Sequence, residues 1–150
     1  MSLLIIMVLI FGIVFFVIKN KKIDKHTKNN RTPITGKRVL TMNEQPMFNR
    51  LNEALPEYYI LAQVSFSAFM TAKGYATRAL FNRKFADFVV VDKHFNVVAV
   101  IELDDASHNG QEERDTQRDA LVNEAGFKVI RYKRTPEVQK IRSDLGLGLL

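Results

Sequence analysis

A mixed α/β domain, with a central sheet flanked by helices and an N-terminal transmembrane helix ahead of it, is the architecture this sequence predicts. Three observations predict it. Apolar runs of strand length recur from Tyr58 onward, and amphipathic stretches with helix stop signals alternate with them. The first eighteen residues are almost wholly apolar. At 150 residues the chain has room for one compact domain besides that segment. With no cysteine, disulfides, zinc–thiolate sites and thiol nucleophiles are all excluded.

The opening run, "MSLLIIMVLIFGIVFFVI", carries no side-chain charge, and only Ser2 and Gly12 are not apolar. A membrane span takes about 20 residues, with a lower limit of about 17. A cleaved signal peptide would want a positive start and a small-x-small cleavage site, and neither is present. "KNKKIDKHTKNNR" follows, so the positive-inside rule places the C-terminal side in the cytoplasm. The expectation is a single-pass membrane protein: anchor 1–18, basic flexible linker 19–40, and a cytoplasmic domain over 41–150.

The net charge of +6 belongs to the linker. Lys19 to Arg38 holds eight basic residues and one acid, a balance of +7, whereas residues 39–150 hold fourteen basic and fifteen acidic, a balance of −1. The partner this implies for the linker is an anionic membrane surface. The high charge does not by itself make the domain a nucleic-acid binder.

Within the domain, "NEQPMFNRLNEAL" places Met47, Phe48, Leu51 and Leu55 at helical spacing and is stopped by Pro56. "YYILAQVSF" is rich in strand formers, while "SAFMTAKGYATRALFNRK" reads mostly as loop. "FADFVVVD" and "NVVAVIEL" are two strands joined by the turn-like "DKHFN", a hairpin. A helix is expected from Gln111 to Ala125, with Ser107 or Asn109 as cap and Gly126 at its end. "FKVIRY" is a last strand, and "TPEVQKIRSDL" starts a closing helix with Thr at the cap and Pro at its first position. The order is α-β-β-β-α-β-α.

The chemistry concentrates at "IELDDASHN", residues 101–109. Alternation along a strand points Glu102 and Asp104 the same way. In an antiparallel hairpin, Asp87 near the start of one strand lies beside them at the end of the next. Three carboxylates at one sheet end repel unless a cation neutralises them. Hard oxygen ligands with open positions suit Mg²⁺, or Mn²⁺, which could activate water and stabilise charge on a phosphoryl group. His108, four residues after Asp104, has the unperturbed pKa for proton relay, although a lone histidine is more often a surface or capping residue.

The stretch "ADFVVVD…AVIELDDASHN…ERDTQRDALVNEAGFKVIRYK" resembles the restriction-endonuclease-like (PD-(D/E)XK) superfamily, in the branch that includes very-short-patch-repair endonucleases. Its nearest likeness is to the bacterial domain of unknown function 2726. The resemblance covers about Pro46 to Val138. It implies a mixed central sheet and a phosphodiesterase activity, with Asp87 and Glu102 as metal-binding acids. Asp104 stands where many members have the catalytic Lys, and His108 matches the histidine of the repair-like branch. The missing Lys puts the proton transfer assigned to it in question.

Other charges have two readings each. Arg114, Asp115, Arg118 and Asp119 sit at helical i, i+3 and i+4 spacing, which usually means a solvated, salt-bridged face. Alternatively Arg114 or Arg118 contacts a scissile phosphate, and Arg131 at a strand end is similar. Glu53 could face the site, though exposed helical Glu is commoner. Two loose basic groups could track a nucleic-acid backbone: Lys73, Arg78, Arg83 and Lys84, and Lys128, Arg131, Lys133, Arg134, Lys140 and Arg142. The expected function is metal-dependent hydrolysis of nucleic acid, DNA before RNA. The competing expectation is an inactive module of the same fold that binds nucleic acid or a protein partner.

Overall fold

The structure is a computed structural model that describes residues 2–26, 32–104 and 112–148, without the side chains of 2–6, 20–26 and 112. Residues 1–37 and 38–150 form two separate units. The first contains helix α1 (Ser2–His26), which continues past the apolar run into the basic residues that follow it. Its described side chains, residues 7–19, are all exposed. The apolar part of α1 gives way to Lys19, Lys21, Lys22, Asp24 and Lys25 before the helix ends. Among the described residues, no helix is long and apolar enough to cross a membrane. The expected transmembrane helix is therefore corrected, and so is the single-pass membrane localisation with a cytoplasmic C-terminal domain.

The second unit starts with α2 (Glu44–Ala54), then β1 (Tyr59–Ser65), a 3₁₀ turn (Phe66–Ala68) and the short α3 (Tyr75–Ala79). It continues with β2 (Phe85–Val91), β3 (Val97–Leu103), α4 (Glu112–Glu124), β4 (Val129–Tyr132) and α5 (Val138–Asp144). The segment expected as mostly loop thus carries one turn of 3₁₀ helix and one short α-helix.

The four strands lie in the order β1-β2-β3-β4. β1, β2 and β3 pair antiparallel, and β3 pairs parallel with β4 through α4. A parallel neighbour requires a crossover, and the helix between the strands supplies it. Phe88, Val90, Ala99 and Ile101 face one core with Met47, Leu51 and Leu55 of the α2 segment and Ile141 of α5. Val89, Val91 and Val100 face a second core with Phe66, Phe81 and Val122 of α4. Both faces are covered, which explains why β2 and β3 read as unbroken apolar runs.

Gly126, at φ 87°, closes α4 as expected. Its N–H donates to Asn123 O at 2.9 Å and the Phe127 N–H to Val122 O at 3.1 Å, the paired bonds of a left-handed helix stop. The closing helix begins later than "TP" suggested. Glu137 is extended and its carbonyl accepts the first helical N–H groups, while Arg50 holds Pro136 O and the Glu137 carboxylate. In β1, Gln63 adopts φ 54°, a left-handed conformation, and drops out of the pairing between Ala62↔Phe88 and Val64↔Ala86.

Candidate active site

The register of the sheet brings the charged residues to one end. Phe88 pairs with Ile101, so Asp87 and Glu102 lie side by side on adjoining strands. Glu102 in turn pairs with Arg131 on β4. All three share the face of Val89, Val100 and Val129, the face that α4 covers. On α4 the residues Asp115, Arg118, Asp119 and Val122 recur at i, i+3, i+4 and i+7. Hence one helical stripe meets the sheet, apolar over the core and charged over the sheet end.

Glu102 is only 3% exposed. Both its oxygens accept from Arg118 Nη2 at 2.9 Å. Burial nevertheless outweighs the attraction of Arg118 and raises its pKa to about 8, with the Asp87 charge adding to the rise. Asp87 is pushed up too, mainly by burial, against the Leu103 N–H that donates to its Oδ2 at 2.9 Å. The two carboxyls are in hydrogen-bonding reach of each other. A proton held between neighbouring carboxyls occupies the place a cation would otherwise fill.

Asp104 has a different partner. Its Oδ1 accepts from Arg131 Nη1 at 2.7 Å, while Arg131 Nε and Nη2 bind Asp119 at 2.8 and 2.7 Å. Asp115 is 3.9 Å from the same guanidinium. Those acids hold the Arg131 charge more firmly than usual. Among the described residues, no three His, Cys, Asp or Glu side chains are grouped to hold a metal ion. Asp87 and Glu102 do fit the narrower requirement of Mg²⁺, which takes one or two carboxylates and completes its shell with water and phosphate oxygens.

A cleft of about 470 Å³ opens at this end. Asp87, Glu102, Asp104, Arg118 and Arg131 all line it, with Glu44 and its neighbours on one wall and Lys133, Arg134 and Thr135 on another. Arg114 is exposed and does not belong to that lining. His108 and the caps expected at Ser107 or Asn109 lie outside the described residues.

Glu44 is the acid that the sequence reading missed. Its Oε2 accepts from Thr41 N at 2.6 Å, and Thr41 Oγ1 accepts from Glu44 N at 3.3 Å, a reciprocal cap. Gln63 Nε2 holds its other oxygen at 2.8 Å. The signal was "TMNE", the T-x-x-E spacing that starts a helix. Glu53 does not line the cleft and pairs with Arg50 at 3.2 Å.

The second basic group divides. Arg142 is buried, donating to Ala54 O and Glu57, and Lys128 donates to Asp144 O. Lys133 and Arg134 are exposed on the cleft wall. The first group lies on the 71–84 segment, apart from the cleft lining.

The family model described as "Protein of unknown function (DUF2726)" matches residues 36–148. No curated protein and no solved structure is significantly similar to the chain.

Proposed function

We propose that this chain, which belongs to the DUF2726 family, is a restriction-endonuclease-like nuclease of the very-short-patch-repair-like branch that hydrolyses phosphodiester bonds of nucleic acid. The observation that carries this reading is the Asp87–Glu102 pair: a half-buried and a buried carboxyl side by side on adjoining strands, lining a cleft together with arginines and a lysine. Buried acids with raised pKa values in a cleft are a common mark of a reactive site. Apart from the short α3, the element order of 38–150 and its mixed sheet are those expected from the superfamily resemblance.

Asp87 and Glu102 would hold Mg²⁺ or Mn²⁺. When bound, the ion supplies charge for the phosphoryl oxygens and lowers the pKa of water. The chain's own groups do the rest. Lys133 and Arg134 attract the phosphate backbone, and Arg131 fixes Asp104 against α4. His108, four residues beyond Asp104 in sequence, moves the proton that the missing Lys would otherwise handle. Nucleic acid is favoured over small phosphate esters because the two exposed cations sit beside the acids, where a continuing backbone would run.

The test is cleavage of plasmid DNA, single-stranded DNA and RNA by purified protein with Mg²⁺ or Mn²⁺, beside Glu102→Gln. Cleavage by the wild type and none by the variant is expected. One observation favours an inactive binding module instead: Asp104, where many superfamily members carry Lys, is tied to Arg131 at 2.7 Å. Binding without cleavage under every metal tried would select that reading.

A further inference from the structure

The two cleft arginines are held in opposite ways. Arg131 uses Nε, Nη1 and Nη2 on carboxylates. Arg118 uses one nitrogen, Nη2, for both Glu102 oxygens and the Phe85 carbonyl. Its Nε is buried with no hydrogen-bond partner. A buried donor without an acceptor is costly, so this pose is not one that pairing alone would select. The guanidinium also lies over the Phe66 ring, 5.4 Å from its centre.

We infer that Arg118 is a positioning residue with two partners in turn: it bonds to the Glu102 carboxyl while no ion is bound, and moves to a substrate phosphate when an ion takes the carboxylate. This rests on the nuclease reading. Both Glu102 oxygens face one Arg118 nitrogen, so an entering cation meets a positive group already in place. Two cations at one carboxylate repel, and the guanidinium must withdraw. Arg118 already lines the cleft, so its route leads to where a phosphate would lie. There the planar fork matches two phosphate oxygens, and the idle Nε gains an acceptor. The Phe66 face supports the cation without specifying one acceptor. Ion and phosphate then favour each other's binding, and the coupling is reciprocal.

The experiment titrates Mg²⁺ into the full chain, with and without inorganic phosphate, using wild type, Arg118→Gln and Arg118→Lys. Calorimetry reads the binding, and ¹⁵N NMR reads the Arg118 guanidinium. The Arg118 signals should move with the same midpoint as the heat. Arg118→Gln should bind Mg²⁺ more tightly, by about tenfold for loss of an adjacent positive charge, and phosphate should tighten Mg²⁺ less than in wild type. Arg118 signals that stay fixed while Mg²⁺ binds overturn the inference, as does a Gln variant that binds no more tightly. If Arg118→Gln does not fold, Arg118→Lys keeps the charge without the fork, and undiminished phosphate coupling in it is the overturning result. Absence of Mg²⁺ heat in wild type and Arg118→Gln alike defeats the nuclease reading itself, and this inference with it.

Discussion

The Leu103 N–H donates to Asp87 Oδ2 at 2.9 Å, so the strand that carries Glu102 also holds its neighbour's carboxylate in place. Asp87→Asn keeps an acceptor there while removing the charge. It should fold with near wild-type stability and lose ion binding. Asp87→Ala should instead cost about 1–3 kcal/mol, because the Leu103 N–H loses its partner. Urea midpoints of the two variants check the difference.

Saturating Mg²⁺ should raise the melting temperature of the wild type at pH 8. At a hundredfold excess over Kd the stabilisation is about 2.7 kcal/mol. Glu102→Gln should abolish the shift, whereas His108→Ala should keep it and lose cleavage. A shift that survives in Glu102→Gln places the ion elsewhere.

The Glu102 carboxyl titrates near 8 in the folded chain, far above the ordinary glutamate range. The folded state therefore holds a proton that the unfolded chain has already released. Stability without metal should be fully present below about pH 4.5 and fall as pH rises toward 8. Asp87, also raised, adds in the same direction. Denaturation at pH 5, 6.5 and 8 should show the decline in wild type and a flatter profile in Glu102→Gln.

Arg131→Gln removes from Asp104, Asp115 and Asp119 the guanidinium they share. These acids are partly solvated, so the expected loss is about 2–3 kcal/mol rather than the larger penalty of a fully buried pair. Lys should not restore it, since a single ammonium cannot span both Asp119 oxygens and Asp104. Thermal unfolding of the two variants measures this.

Replacing Lys133 and Arg134 with Ala should weaken nucleic-acid binding without changing the melting temperature. If each contacts one phosphate, the slope of log K against log salt should fall by about 1 per residue. An unchanged slope would remove both from the interface.

Much of the domain was legible in its pattern. Apolar runs, breakers and the Gly126 stop gave the order of the strands and of α2, α4 and α5, though not the short α3, and the hairpin brought Asp87 and Glu102 together. The ion pair of Asp104 with Arg131 was not legible. It depends on the parallel pairing of β3 with β4, which puts Arg131 within reach across 27 residues of chain. The charged spacing on α4 was ambiguous for a related reason, because a stripe of Asp and Arg looks solvated until a polar sheet end lies beneath it. Glu44 was hidden by its own helix cap, which accounts for the residue without reference to a cleft. The apolar opening run misled because it reads as a span by composition alone, whereas among the described residues no helix is long and apolar enough to cross a bilayer.

Gln63 has a consequence for how this protein behaves in concentrated solution. β1 is an edge strand with Tyr59 and Leu61 exposed, the kind of border along which a second extended chain could align. At Gln63 the left-handed backbone turns the next peptide groups out of line, at a local cost of about 1–3 kcal/mol. Straight pairing is thereby confined to Tyr59–Ala62, too short a run to template a growing stack. The kink that hands a side chain to Glu44 thus also shortens the straight edge open to a second chain.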